Sequence, residues 1–355
     1  MRNVKLVSAV ALMTLSVCMG ARAAAPTLPP EAVAADTVAV IHLESTHFTP
    51  DALRMAAQAL LGPNAQRVND SLTKFEDRYN KAKEAGVQSM TLTMSSSKPS
   101  ANAAGAADAA NPAGAQGSEP KGIAYLELKP GADVNAVEKI MQQEMDPAKR
   151  EQTEFKKQGN YLAMYQKGQT LPTHGDVTRS TQFANALGSV SNAAVQIAFI
   201  PDAATKTQMM DRANGEGAPA GAKEAMPVLA NSKWITLAVN FGNAPGVTAT
   251  ASTADADSAK KLVEDINKGL TEMKQSAANG GGQGPAAMFG PLAGQLAQGL
   301  TPTQNGNDVS VSLSGQPLKM VAGFVAMIAG GAPGGPGAGP GGPGASPARP
   351  APVPE

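Results

Sequence analysis

Thr253 to Met273 reads TADADSAKKLVEDINKGLTEM. It carries apolar residues at Ala256, Ala259, Leu262 and Val263, the spacing of a helix with one buried face. Gly131 to Met145, GADVNAVEKIMQQEM, repeats the pattern with Val134, Val137, Ile140 and Met141. Asp255 and Asp133 stand at the same place before the two runs. This echo predicts a chain built from two copies of one folding unit.

Working outward, each copy predicts the same order of elements. Thr37 to Glu44 (TVAVIHLE) is a short β-branched run that suits a buried strand. Thr49-Pro50-Asp51 supplies a capping hydroxyl, a proline at the first helical position and an acid in the first turn. Leu53, Ala56, Ala57, Leu60 and Leu61 form one helical face, broken at Gly62-Pro63. A second helix places Val68, Leu72, Phe75, Tyr79 and Ala82 on a stripe. Ser89 to Ser95 alternates Met90, Leu92 and Met94 with Thr91 and Thr93, a half-buried strand. Strands follow at 122–128, 153–157 and 161–166, the last two as a hairpin turning at Gly159-Asn160, and a helix is expected over 178–190. The second copy predicts strands at 194–200, 234–241 and 247–253, a helical region from Pro201 to about Asn231, and the helix of the opening stretch. A helix over 291–300, a turn at Asn305-Gly306, a strand through Val309, Val311 and Leu313, and a helix over 317–329 complete it.

Stripped of extra helices, each unit is β-α-β-β-α-β. The expected fold is α+β: two tandem ferredoxin-like units over 36–191 and 192–329, with a helix pair as the first crossover and antiparallel sheets covered by helices. Three stretches are read as lying outside the core: a Pro/Ala-rich leader over 24–35, a loop over 98–121 that lacks large apolar residues, and a Gly/Pro/Ala tail over 330–355. A flexible loop is expected at 279–284.

The start of the chain reads as an address. Arg2 and Lys5 precede a short apolar run, and Ala21-Arg22-Ala23 fits signal cleavage between Ala23 and Ala24. Cys18 is the single cysteine. Val17 before it departs from the small residue that a lipid-anchored cysteine requires, so the mature chain is expected to carry no thiol and no disulfide. Removing three of the 29 bases against 29 acids leaves a net charge of −3. That balance gives no bulk attraction for nucleic acid. The run at 317–329 is too short to span a bilayer.

The chemistry-bearing motifs are few. The sequence has no H-E-x-x-H, G-x-S-x-G, P-loop or paired-cysteine motif. Gly282 to Ala287 loosely matches a dinucleotide fingerprint, but it follows no strand, and Pro285 removes an N–H where phosphate would bind. No cofactor is implied. His42 and Glu44 lie two apart on one strand and share a face, with His47 just beyond. These three are the metal-ligand candidates, weighed against a half-buried histidine with a hydrogen-bond partner. His174 and Asp176 read as a solvated loop. Met209, Met210 and the methionines from Met320 to Met327 read as core filler.

Asp36-Thr37-Val38-Ala39-Val40, behind a signal sequence and a proline-rich leader, resembles the opening of a loose class of exported bacterial proteins of unknown function. The resemblance implies duplicated α+β units and no site residues. Together these readings predict a periplasmic or extracellular protein that binds an envelope protein or peptide, with strand addition at a sheet edge as the mode. The alternative is an enzyme or metal-binding protein whose site is assembled only by the fold.

Overall fold

A computed structural model describes residues 26, 28, 29, 31–96, 122–172, 174–215, 228, 231–278 and 294–329. The expected signal sequence and its cleavage site, the 98–121 and 279–284 loops, the Gly282–Ala287 match and the tail lie outside these residues.

The chain runs β1 (Thr37–Glu44), α1 (Pro50–Leu61), a 3-10 segment (Gly62–Val68), α2 (Asn69–Glu84), β2 (Val87–Ser95), β3 (Gly122–Leu128), α3 (Val134–Glu144), α4 (Pro147–Glu151), β4 (Thr153–Gln158), β5 (Tyr161–Gln166) and α5 (Val177–Gly188). It continues with β6 (Val195–Phe199), α6 (Ala203–Asn214), β7 (Ser232–Asn240), β8 (Gly246–Thr253), α7 (Ala256–Ala278), β9 (Pro302–Asn305), β10 (Asp308–Ser314) and α8 (Gly315–Ala329). Among the described residues no helix is long and apolar enough to cross a membrane.

Local chemistry sets the helix starts. Thr49 accepts from the Ala52 N–H at 3.1 Å. Asp133 accepts from Asn135 and Ala136 at 3.0 and 3.2 Å, and Asp255 from Ser258 at 2.7 Å. The two aspartates of the opening echo are therefore both caps, each contributing about 1 kcal/mol. The turns at Gly159 and Gly306 have φ of 57° and 60°, the left-handed geometry that a tight hairpin needs.

Among the described residues the ten strands form one antiparallel sheet, ordered β4-β5-β3-β2-β1-β6-β7-β8-β10-β9. The α+β class holds, but the ferredoxin-like order does not. In that order a single helix returns the chain to its starting end, so the first two strands run parallel and leave room between them. Here α1 and α2 in series reverse the chain once more. β2 therefore comes back antiparallel and pairs directly with β1, His42 opposite Thr91. β6 and β7 pair in the same sense. The two expected sheets are also one, because β1 pairs with β6 through Ile41 and Ile197.

The order is the same read inward from either edge, and so is the register. One row crosses the middle of the sheet through Ala124, Leu92, Ile41, Ile197, Leu237 and Ala249. These side chains share one face. Toward the edges that face is covered by helices. Leu126, Leu128 and Leu162 pack with Val137 of α3, while Ala251 and Val309 pack with Ala259 and Leu262 of α7. Val247 and Leu313 pack with Leu318 and Val321 of α8. Leu262 is fully buried, worth about 1.5–3 kcal/mol.

The opposite face holds two surprises. In β2 the expected alternation is present, but Ser89, Thr91 and Thr93 are the buried side, at 5%, 2% and 3% exposure, while Met90, Leu92 and Met94 are half-buried. The cover comes partly from α5, whose Phe183, Ala186 and Leu187 pack on Val40, Ala198 and Ile200. The rest comes from the stretch read as a leader. Leu28 and Val33 join that same cluster, and Ala32 packs with Ile123, Tyr125, Ala163 and Leu171. Pro/Ala-rich composition hid a segment that is core. Met209 and Met210, read as core filler, are exposed on α6.

Candidate functional site

The hydroxyl-rich face of the sheet gathers the polar side chains into adjacent transverse rows. Strand pairing aligns Gln158, Tyr161, Glu127, Ser89 and Glu44 in one row. It aligns Tyr125, Thr91, His42 and Gln196 in the next. Directly opposed residues on paired strands project from the same face, and successive strands lie about 4.8 Å apart, so the rows form one continuous surface.

Within it some groups are satisfied. His42 Nδ1 lies 3.0 Å from Thr91 Oγ1, and Ser89 Oγ donates to Glu127 Oε2 at 2.6 Å. The Gln196 amide donates from Nε2 to the carbonyls of Ser191 and Ala193, both at 3.2 Å. Others are not. Among the described residues, the buried side-chain polar atoms without a hydrogen-bond partner are His42 Nε2, Tyr125 Oη, Gln158 Oε1 and Gln196 Oε1. All four belong to these two rows. An unpaired buried polar group costs about 1–3 kcal/mol, and native interiors keep few of them without a functional reason.

The electrostatics are acidic. Glu44 Oε2 lies 3.7 Å from His42 Nε2. The imidazole is the main cause holding the Glu44 carboxyl below its ordinary range. Thr46 N–H and hydroxyl add to this, and partial burial opposes it. Burial, with the field of Glu31, pushes the Tyr125 hydroxyl up to about 12. Burial and the fields of Glu127 and Glu31 also raise Tyr161. A carboxyl held low in the fold contributes stability above its unfolded pKa and loses it as pH falls through the folded value. Glu44→Gln is therefore expected to lower stability at pH 7, with a deficit that shrinks as pH falls below about 4.5, so that the acid limb of stability is flattened. Urea titrations at pH 3 and pH 7 check this, and an unaltered acid limb in the variant would show that Glu44 is not the group responsible.

His42 and Glu44 are thus brought together as their spacing predicts, but on the buried side, with His42 only 2% exposed. His47 lies on the exposed turn beyond, its N–H bonded to the Glu44 carbonyl at 3.1 Å. Among the described residues no group of three or more His, Cys, Asp or Glu could hold a metal ion. His174 is exposed, and Asp176 caps α5 by accepting from the Arg179 N–H at 2.8 Å. Sequence reasoning missed Tyr125, Glu127, Gln158 and Gln196. A polar residue at every second position of adjacent strands was visible, but not which strands pair.

The sheet edges resist strand addition. β4 carries exposed Lys156 and Lys157, and β9 is four residues long and begins with Pro302. Charge, shortness and proline are the devices that protect sheet edges from further pairing.

Comparison with protein-family models, with curated proteins and with solved structures finds no match for this chain.

Proposed function

We propose that this is an exported protein of the cell envelope that binds a ligand or partner and does not transform it. The observation that carries the reading is that, among the described residues, the four unpartnered buried polar atoms all fall on two adjacent rows of one sheet face. Such atoms are costly in an isolated fold and are satisfied when a complementary group arrives. The half-buried Glu44, Glu127 and Tyr161 give that group a way in. A histidine as deeply covered as His42 is poorly placed to exchange protons with a substrate. The apparent sequence address supports export.

The rest of the chain serves as the scaffold in this reading. The mirrored strand order supports a duplication joined across β1 and β6. In that pairing Ala198 stands where His42 does and Leu237 where Leu92 does. The polar cluster therefore belongs to one unit, and the other extends the platform.

The test is crosslinking capture from native envelope, with the mature chain and its Glu127→Gln variant as baits, read by mass spectrometry. One partner enriched by the wild type and lost from the variant supports the reading. Equal capture by both baits moves the function off this face.

A further inference from the structure

At its centre the sheet is closed on the polar side and open on the apolar one. On β2, β1 and β6 the side that carries Thr91, Thr93, His42 and Gln196 is buried. The other side carries Leu92, Met94, Ile41, Leu43, Ile197 and Phe199, and all six are half-buried. Leu92, Ile41 and Ile197 stand in one row, so the patch runs unbroken across the seam. The α1–α2 hairpin matches it. Leu53 and Leu61 of α1 and Leu72 and Phe75 of α2 are half-buried, and α2 has no fully buried residue. Elsewhere on this face helix and sheet close completely, Val137 with Leu126 and Leu162, and Leu262 with Val309. An open apolar patch of this kind is the informative exception to burial. The hairpin is tied to the sheet at one end. Tyr79 Oη donates to the Ser45 carbonyl at 2.7 Å, and the Gly242 N–H donates to the Ala52 carbonyl at 3.0 Å. The Phe48 ring centre lies 5.4 Å from that of Phe75 and 5.5 Å from that of Phe241. Leu60 of α1 joins the cluster of Val247, Leu313 and Leu318 on the same face. Beside it a cavity of about 50 Å³ remains, lined in part by Leu60, Val239, Phe241, Val247, Leu318 and Val321.

We propose that the cleft between this hairpin and the centre of the sheet takes a single long acyl chain, that of a fatty acid. The walls decide the class. They present aliphatic and ring surface, and the backbone groups of β1 are spent in the ladders on both sides. A chain of methylenes asks for no hydrogen bond, whereas an extended peptide would leave its own N–H and C=O groups unpaired there. The ties keep hairpin and sheet in contact at one end. The cleft is therefore too thin for a further helix, whose axis stands about 8–10 Å from each neighbour. Side chains covered to this degree leave on the order of a few hundred Å² open, well short of the ~800 Å² per partner that a stable protein–protein complex buries. That area argues against a second copy. Met94, unbranched and polarisable, adapts to a flexible chain. The methyl end of the acid points toward the closed junction at Leu60, and its carboxylate stays in water.

The experiment is titration calorimetry of the delipidated mature chain with octanoate, decanoate and dodecanoate, each below its micelle concentration. One acid per protein is expected, with affinity rising about tenfold over each step of two methylenes. Leu92→Gln on the sheet and Leu72→Gln on α2 should each weaken dodecanoate about tenfold or more. Both positions are half-buried, melting checks that each variant stays folded, and the length series needs no variant. Glu127→Gln, on the opposite face, should bind dodecanoate as the wild type does, which separates this cleft from the polar rows. Absence of binding, affinity that ignores chain length, several acids per protein, or dodecanoate binding that both cleft variants retain overturns the proposal. Binding to phosphatidylcholine vesicles without binding of any monomeric acid also overturns it and makes the face a membrane-contact surface. A dimer by light scattering that takes up no acid overturns it in favour of an interface between copies. None of these outcomes bears on the envelope capture that tests the other face.

Discussion

A mature chain that begins at Ala34 is expected to lose most of its stability relative to one that begins at Ala24. Leu28, Ala32 and Val33 are 9%, 1% and 0% exposed, and they serve two clusters on the covered face of the sheet. Fully burying a leucine or valine contributes about 1.5–3 kcal/mol, so this short segment contributes roughly 3–6 kcal/mol. Its removal also uncovers Phe183, Ala198, Tyr125 and Ala163, and deletes the acceptor of the Asp176 N–H, the Val33 carbonyl at 2.8 Å. Against a total of about 5–15 kcal/mol for folded proteins, that loss brings the chain near its unfolding threshold. Urea unfolding followed by the fluorescence of Trp234, which packs on the same cluster, measures it directly. A short form with the same urea midpoint would mean that the segment rides on the surface without stabilising it. A composition-based reading predicts that null result, which makes the comparison decisive between the two views.

The reason that segment escaped the sequence reading also explains what else did. Periodicity works where a residue's burial is decided by its own element. Asp133 and Asp255 were visible as partners because helix starts are local, and Gly159 and Gly306 because tight turns are local. The strands themselves were visible for the same reason. Pairing was not, because it depends on how the connections return the chain. The helix pair after β1 was read correctly, but its consequence, an antiparallel return beside β1, was not. Which face is covered was likewise not local. Thr91 and Thr93 are buried on the face that Ala32 and α5 help to cover, only because the chain folds back across a face whose sequence looks solvent-ready. The candidate site was half legible on these terms. His42 and Glu44 share a strand, so spacing found them. Tyr125, Glu127, Gln158 and Gln196 reach them through strand pairing alone, across β3, β4 and β6.

Arg179→Ala is expected to weaken the seam between the two halves of the sheet by about 1.5–3 kcal/mol, the scale of hydrogen bonds made by a charged, half-buried group. Arg179 lies in the first turn of α5, a position that spacing does not mark. Its Nε and Nη2 donate to the Thr37 carbonyl at 3.0 and 2.8 Å, and Nη2 also donates to the Ile200 carbonyl. The guanidinium carbon lies 5.4 Å from the centre of the Phe183 ring. Thr37 opens β1 and Ile200 follows β6, and the two strands are antiparallel, so one side chain fastens both central strands together at one end. Burial opposes the charge, but Asp202 and Asp176 favour it, and an arginine stays protonated in any case. Alanine leaves two carbonyls without these donors. Lysine restores the charge but not the planar fork, so Arg179→Lys should recover less than half of the loss. Urea unfolding gives the magnitudes. Amide exchange at Ile41 and Ile197 shows whether the loss is local, since both strands meet there. If lysine restores full stability, charge alone matters and the fork does not. If alanine costs nothing, the seam is held by the strand ladder and the clusters beside it. With the expected losses at both, the arginine of the covering helix adds its planar fork to a regular strand ladder in holding the two halves as one sheet.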